Sequence, residues 1–195
     1  MEPSRQAPGP PRLRTHVGPS ELVSLLLAGI GLRQETYRHV AAEPDATHHC
    51  LAATLLGAIA YGLCVSGRIA LAPPLLVVVE AIRAMATLVV EAGIAWMLGR
   101  WALGRRLPFG AVLRPIALAG APGLFFAIGA IPEAEPAVAI GVPAWLLVAF
   151  VVALRAAFDG SWFQAIALAL GVWLVEHLPG ALLALLDAPA RLPAG

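Results

Sequence analysis

The residues best suited to chemistry lie within a long apolar run at positions 75–99. Glu80, Arg83, Thr87 and Glu91 follow one another at spacings of three or four residues. At 100° per residue, these spacings place all four side chains on one stripe of an α-helix. Each ionisable group costs about 3 kcal/mol at the centre of a membrane span unless it faces protein, water or another polar group. The stripe therefore predicts a helix packed inside a bundle, where its charges pair or carry a proton or ion.

A second polar pair, Glu176 and His177, lies in the last apolar run. If the second and fifth spans are antiparallel, Arg83 and Glu176 lie about 12 Å and about 15 Å from the same membrane surface. We therefore expect a cluster of Glu80, Arg83, Glu176 and His177. Glu91 lies about 12 Å deeper than Arg83 and is expected to be unpaired and protonated, because burial disfavours charge. A structural pairing, a proton- or ion-linked role and a misplaced helix end all remain open.

The composition favours a chain surrounded by lipid. Hydrophobic residues make up 59% of the sequence and charged residues 13%, whereas an ordinary globular protein has about 25% charged residues. Several apolar runs approach the roughly 20 residues that cross a bilayer core. The net charge is +1 and gives no indication of nucleic-acid binding.

Five apolar runs predict an all-α, polytopic membrane protein with five transmembrane helices. An interfacial amphipathic helix, too short to cross and with Ser20 as its N-cap, precedes them. The tail before this helix is rich in proline and arginine and is expected to be disordered. The predicted organisation is a tail at 1–19, the interfacial helix and a polar connector at 20–49, a membrane domain at 50–187 and a tail at 188–195. The spans lie at about 50–66, 75–99, 111–131, 139–158 and 162–186.

The distribution of arginine orients the predicted spans. Placing the N-terminus in the cytoplasm puts ten arginines on the inner side and two on the outer side, as the positive-inside rule requires. The third loop, 132–142, contains Glu133 and Glu135 and no basic residue. Five spans place the C-terminus on the opposite side, and apolar helices favour a bacterial inner (plasma) membrane. The inner arginines are Arg5, Arg12, Arg14, Arg33, Arg38, Arg100, Arg105, Arg106, Arg114 and Arg155, and the outer ones are Arg68 and Arg191.

The third apolar run contains Gly120, Pro122 and Gly123 near its middle. Proline removes a backbone hydrogen bond and glycine permits close helix approach, so a kink or break is predicted here. Pro179 and Gly180 form a partial counterpart in the fifth run, without an internal repeat. We interpret the break as structural, because a broken helix that forms a substrate site usually has a second interrupted span in a related half.

The connector before the first span is the most polar part of the chain. It contains Tyr37, Arg38, Glu43 and Asp45, and Pro44 interrupts any continuous helix. We interpret it as a solvated, membrane-proximal turn anchored by Tyr37 and its neighbouring arginines. A surface that binds a partner is the alternative interpretation.

The sequence predicts neither a metal site nor a cofactor. His48, His49 and Cys50 are consecutive, and no regular Cys/His spacing completes a tetrahedral site. Cys50 and Cys64 lie about 21 Å apart along one helix, which prevents a disulfide between them. A Gly-rich phosphate loop and a nucleophile elbow are also missing from the sequence. We therefore predict a protein without enzymatic activity.

The order of local motifs resembles the Ypt/Rab-interacting (Yip) domain family, particularly its bacterial members. The stretch from Glu35 to Thr47 is similar to the family's Tyr-Arg-x-Val-x-x-Asp-Pro-x-Ala-Thr entry to the first span. The resemblance covers nearly the whole chain and implies a five-helix integral membrane protein with a cytoplasmic N-terminus. The usual glutamine of the fourth-span exit is replaced by Ala156. The other similar positions are Glu91 and Trp96, Leu113-Arg114-Pro115, 119–123, Ile131-Pro132, Trp145 and 152–159.

The resemblance indicates the function less directly than the fold. Eukaryotic members of the Yip family are linked to Rab GTPases and vesicle traffic. We expect a non-enzymatic membrane scaffold or membrane-organising protein. Its expected partners are the lipid bilayer and either another membrane protein or a second copy of the chain. The alternative is a small transporter or ion-coupled permease component that uses Glu80, Arg83, Glu91 and Glu176. An intramembrane hydrolase that depends on Glu91 is a third class.

Overall fold

The structure, a computed structural model, describes the backbone of residues 19–66 and 73–187 and the side chains of 20–65 and 74–175. Within these ranges the chain forms helices joined by short connections and contains no strand, which confirms the all-α prediction. The predicted tails lie outside the described residues, apart from Pro19. The α-helices are α1 (Pro19–Ile30), α2 (Gln34–Ala42), α3 (Thr47–Ser66), α4 (Pro73–Ala102), α5 (Phe109–Leu118), α6 (Glu135–Phe158) and α7 (Trp162–Asp187). Two 3₁₀ segments, Pro44–Ala46 and Ala121–Ala130, precede α3 and follow α5.

Within residues 19–66 and 73–187, three stretches of helix are long and apolar enough to cross a membrane. They are Pro44–Val65, Phe109–Ala130 and Glu135–Phe158. Trp162–Val175 of α7 is a shorter apolar helix, and α4 is not among the three candidates. These findings fit a membrane-embedded protein, whereas five spans and an interfacial role for α1 remain predictions.

Two predicted element boundaries are wrong. α6 begins at Glu135, so the third loop does not extend to position 142. Pro136 occupies the first turn of this helix, where its missing N–H costs no hydrogen bond. At the other end of the chain, α1 begins at Pro19, which places Ser20 inside the helix rather than at its N-cap.

The polar connector is a packed helix, and its interpretation as a solvated turn is wrong. Tyr37 and Val40 are fully buried. Their spacing of three residues places both side chains on one face of α2, which packs against α5 and α6. The helix ends before Pro44, because the residue that precedes a proline disfavours the helical conformation. Glu43 is accordingly extended, with φ −100° and ψ 104°.

The core lies around α5, which contacts α2, α3, α4 and α6. Small side chains allow these helices to approach one another closely. Seven alanines of the described core are fully buried: Ala53, Ala92, Ala95, Ala117, Ala121, Ala149 and Ala153.

Candidate functional site

Two residues of the predicted stripe pair with each other on α4. Arg83 donates hydrogen bonds to Glu80 Oε2, with both Nε and Nη2 at 2.7 Å from the acceptor. The guanidinium carbon also lies 5.8 Å from the centre of the Tyr61 ring on α3. The Glu80 side chain is 14% exposed and that of Arg83 is 59% exposed. The pairing expected from the sequence therefore forms within one helix.

Arg83, Thr87 and Glu91 line a cavity of about 320 Å³ in the middle of the bundle. Thr54 and Trp173 contribute polar groups from α3 and α7, and most of the remaining lining is apolar. We call this space the mid-bundle cavity. Three residues of the stripe, spread over more than two turns of α4, therefore line the same cavity.

Glu91 is half-buried and has an interaction partner in the structure. The expectation of an unpaired carboxylate is therefore wrong. A buried carboxylate can accept hydrogen bonds from neutral donors, such as hydroxyl and indole N–H groups, as well as from a counter-charge at the same depth.

The other predicted members of the cluster, Glu176 and His177, lie in the second half of α7. The side chains of Glu176 and His177 are outside the described part of the chain, so their place near Arg83 stays a prediction. α7 packs against α4 and continues to Asp187. The prediction of a helix break at Pro179 is wrong, since helices of a bundle tolerate the loss of one backbone hydrogen bond.

The third apolar run changes conformation at the predicted position. α5 ends at Leu118, and a 3₁₀ segment with Pro122 in its first turn begins at Ala121. Thr54 of α3 donates a hydrogen bond through Oγ1 to the carbonyl oxygen of Ala117 at 2.8 Å. The same carbonyl accepts a hydrogen bond from the backbone N–H of Gly120 at 3.1 Å, so Thr54 adds a second donor at the end of α5.

Glycines allow the backbones to approach closely beside this break. A Cβ atom at Gly57 would lie 2.9 Å from the carbonyl oxygen of Gly120, and one at Gly123 would lie 3.1 Å from Cα of Gly57. The backbones of α3 and the 3₁₀ segment are thus in direct contact. This geometry favours a structural break over an opened helix that holds a substrate.

Arg114, one of the arginines predicted on the cytoplasmic side, is a buried charged residue. It lies within α5 and is 7% exposed. Its Nε donates to the carbonyl oxygen of Val40 at 2.7 Å, and its Nη2 donates to that of Ala41 at 2.5 Å. Both carbonyls belong to the last turn of α2, where intrahelical donors run out and the helix dipole favours a cation. Arg114 therefore fastens α2 to α5.

A tyrosine secures α2 to α1. The hydroxyl of Tyr37 donates a hydrogen bond to the carbonyl oxygen of Gly29 at 3.0 Å. Burial raises the pKa of the Tyr37 phenol, so the side chain remains a neutral donor. α1 and α2 thus form one unit, residues 19–42, which we call the cap.

Two further polar contacts join the cap to the end of α6. Arg38 Nη2 and Asp159 Oδ1 form an ion pair at 2.8 Å. Arg155 Nη1 donates to Gln34 Oε1 at 2.6 Å, and its guanidinium carbon lies 4.2 Å from the centre of the Trp162 ring. We call these two contacts, together with those of Tyr37 and Arg114, the cap junction. Its residues are Gln34, Tyr37, Arg38, Arg114, Arg155 and Asp159.

The predicted connector residues separate into two pairs. Tyr37 and Arg38 belong to the cap junction. Asp45 is exposed in the first 3₁₀ segment, and Glu43 is half-buried between this segment and α2.

The role of Arg114 in holding α2 was not predicted. The sequence signal for it was the motif Leu113-Arg114-Pro115, because a charged residue inside an apolar run requires a polar partner.

An open cavity of about 860 Å³ adjoins the cap junction, and we call it the junction cavity. Its charged side chains are Arg38, Arg114 and Asp159. The start of α5 forms one wall and the end of α6 another. Ala156 lies in the second wall.

Within the described ranges, no three His, Cys, Asp or Glu residues are arranged to hold a metal ion. The chain matches no family model, no curated protein and no solved structure. Fold and site define an all-helical protein with three helices that are long and apolar enough to cross a membrane. At one end of its bundle, a short helical cap is fixed by buried and charged contacts.

Proposed function

We propose that the chain is a Yip-like, multi-pass membrane protein that organises other membrane components without catalysing a reaction. The supporting observation is that separate motifs of the resemblance meet at the cap junction. Tyr37 and Arg38 come from the first motif, Arg114 from the third span, and Arg155 and Asp159 from the fourth-span exit. Hydrogen bonds join groups that are 73 to 121 positions apart in sequence. Distant motifs that contact one another support a common structural unit.

The cap has the properties of a surface for a membrane-protein partner. Its inner side is held in place by Tyr37, Val40 and the two hydrogen bonds of Arg114. On α1, Val23 and Leu27 are 54% and 64% exposed. An apolar face on a rigid helix can pack against another helix without a large loss of conformational entropy. The partner in this proposal is a second membrane protein or another copy of the chain.

The proposed topology has five spans, a cytoplasmic N-terminus and a location in a bacterial inner membrane. Arg38, Arg114 and Arg155 come from three segments that the arginine count assigns to the cytoplasmic side. All three lie at the cap junction. Their convergence supports the proposed orientation, because positive charge is retained on the cytoplasmic side.

Site-specific photo-crosslinking tests the organising role. A photoreactive amino acid at Leu27, introduced into the full chain in native membranes, is expected to give a defined protein adduct. Arg114→Gln should abolish this adduct by releasing α2, whereas the matched exposed variant Arg106→Gln should retain it. Adducts with lipid alone would contradict the proposal. So would a protein adduct that persists in the Arg114→Gln variant when limited proteolysis shows that its cap is released.

The mid-bundle cavity favours a second candidate, an ion- or proton-coupled transporter. Arg83, Thr87 and Glu91 line the same internal space and are suited to hold an ion or transfer a proton. Proteoliposomes that contain the full chain would then show a pH-dependent ion flux that Glu91→Gln abolishes and Arg106→Gln preserves. That result would replace the scaffold proposal.

A further inference from the structure

We propose that the junction cavity binds the phosphate group of a net-anionic phosphate ester, with an anionic phospholipid as its source in the membrane. This inference goes beyond the proposed function, which concerns protein contacts of the cap. The site combines a buried guanidinium, an exposed guanidinium and the N-terminus of α5 around one open space. Each of these groups attracts an anion for a separate physical reason.

Arg114 supplies the buried donors. A guanidinium carries five N–H groups, and the bonds to Val40 and Ala41 use one on Nε and one on Nη2. Nη1 lies beside Gly110, where a Cβ atom would come within 2.9 Å of it. The absence of a side chain at position 110 therefore lets the guanidinium lie close to the first turn of α5, where both residues line the cavity. A planar guanidinium with adjacent donors matches the oxygens of a phosphate.

Arg38 supplies a second positive charge at the rim. Its side chain is 50% exposed and that of Asp159 is 74% exposed. An exposed ion pair of this kind contributes little to stability and is screened by salt. Arg38 can therefore exchange Asp159 for a ligand phosphate at a small cost. Two arginines against one aspartate leave the cavity with a net positive charge.

The N-terminus of α5 provides the third contribution. The helix begins at Phe109, and Pro108 offers no side-chain cap. Pro108, Gly110 and Ala111 all line the cavity. The N–H of Ala111 donates to the carbonyl oxygen of Pro108 at 3.0 Å. The positive end of the helix dipole favours an anion at such a position. The small residues at 110 and 111 let a ligand reach the backbone closely.

The position of the cavity favours a lipid over a soluble ester. It lies at the first turn of the candidate span Phe109–Ala130 and at the last turns of Glu135–Phe158. A phosphate bound there would sit at the membrane surface while its acyl chains followed the apolar helices. Basic pockets between membrane helices commonly bind anionic headgroups. The volume of about 860 Å³ leaves room for a glycerol unit beside the phosphate.

Native mass spectrometry of the purified full chain in detergent tests this proposal. The probes are phosphatidylglycerol, phosphatidylcholine and glycerol 3-phosphate. We expect phosphatidylglycerol to be retained over phosphatidylcholine, and Arg38→Gln to weaken its binding about fivefold, the loss of one partly screened charge contact. Asp159→Asn should strengthen binding, because it frees Arg38. Arg106→Gln removes the same charge outside the cavity and should leave binding unchanged.

A steric variant separates the cavity from general surface charge. Ala111→Leu fills the space without a change of charge and should reduce phosphatidylglycerol binding, with helix content checked by circular dichroism. Equal retention of the two lipids by the wild type would overturn the proposal, as would equal effects of Arg38→Gln and Arg106→Gln. Saturation by glycerol 3-phosphate at the same concentration as the lipid would identify a soluble ester as the source. Photo-crosslinking at Leu27 is read separately, so the lipid site and the protein contact can fail independently.

Discussion

Nε of Arg114 donates a hydrogen bond to the carbonyl oxygen of Val40 across 74 positions of sequence, at 2.7 Å. This bond links an arginine inside a candidate span to the last turn of a helix that precedes the bundle. Because Ala41 accepts a second bond from the same guanidinium, the position and direction of α2 are both fixed.

Arg114→Ala is expected to destabilise the protein by about 3 kcal/mol, because it leaves two carbonyls of α2 unsatisfied in a buried place. Arg114→Lys should recover only part of this loss, since a single ammonium cannot reproduce the fork of a guanidinium. Thermal unfolding in detergent measures both effects. Arg106→Gln, at an exposed position, serves as the control and should change stability by less than about 0.5 kcal/mol. An equal effect of the two removals would mean that Arg114 does not hold the cap.

Gly57→Ala is expected to cost about 2 kcal/mol, because its Cβ would push against the carbonyl oxygen of Gly120. Gly93→Ala is the matched control on α4, where a Cβ meets nothing within 4 Å. That substitution should be neutral or stabilise the helix by up to about 1 kcal/mol. Melting temperatures of the two variants give the comparison, and similar values would contradict the close contact between α3 and the 3₁₀ segment.

Tyr37→Phe should lower stability by about 1 kcal/mol through loss of the hydrogen bond to Gly29. The same variant should also alter the response to alkaline pH. Burial raises the pKa of Tyr37 in the folded protein, so the folded state retains this proton when the unfolded state releases it. The contribution is fully present below the unfolded pKa of about 10 and is lost as pH rises through the folded value.

Unfolding measured across the alkaline range checks this dependence. The wild type should lose stability more steeply than Tyr37→Phe above pH of about 10. Tyr61→Phe is a control for the removal of a phenol, since the Tyr61 ring instead packs edge-on against Phe126 at 5.0 Å. Parallel curves for the wild type and Tyr37→Phe would show that the Tyr37 hydroxyl does not contribute in this way.

Cysteine labelling tests the orientation of the third span. Arg105→Cys and Glu133→Cys, each in a background without Cys50 and Cys64, are expected to react with an impermeant reagent from opposite sides of the membrane. Both positions are exposed and flank the candidate span Phe109–Ala130. Reaction of both from the same side would refute the proposed topology.

Local chemistry made some of these features predictable. Gly120 and Pro122 identified the end of α5, because their backbone properties do not depend on the rest of the fold. Glu80 and Arg83 were expected to relieve each other, and their i,i+3 spacing on one helix brings them into contact. The predicted all-α class followed from apolar runs of the length that suits helices.

Contacts between distant segments were not predictable in the same way. The burial of Tyr37 depends on α5 and α6, neither of which is near it in sequence. The hydrogen bonds of Arg114 to Val40 and Ala41 join segments 74 and 73 positions apart, so no local pattern predicts them. The predicted third loop, 132–142, extended too far because the first turn of a helix accepts a proline such as Pro136.

The hydroxyl of Thr54 and the missing side chain of Gly57 both belong to the first candidate span, yet both act on the bend in the second, Phe109–Ala130. Helices that insert separately meet only afterwards, when they associate within the bilayer. We therefore expect the second candidate span to enter the membrane without its final shape and to bend when α3 comes alongside. The 3₁₀ segment is then a product of assembly, and a missing first candidate span would leave the second with the wrong backbone as well as without a neighbour.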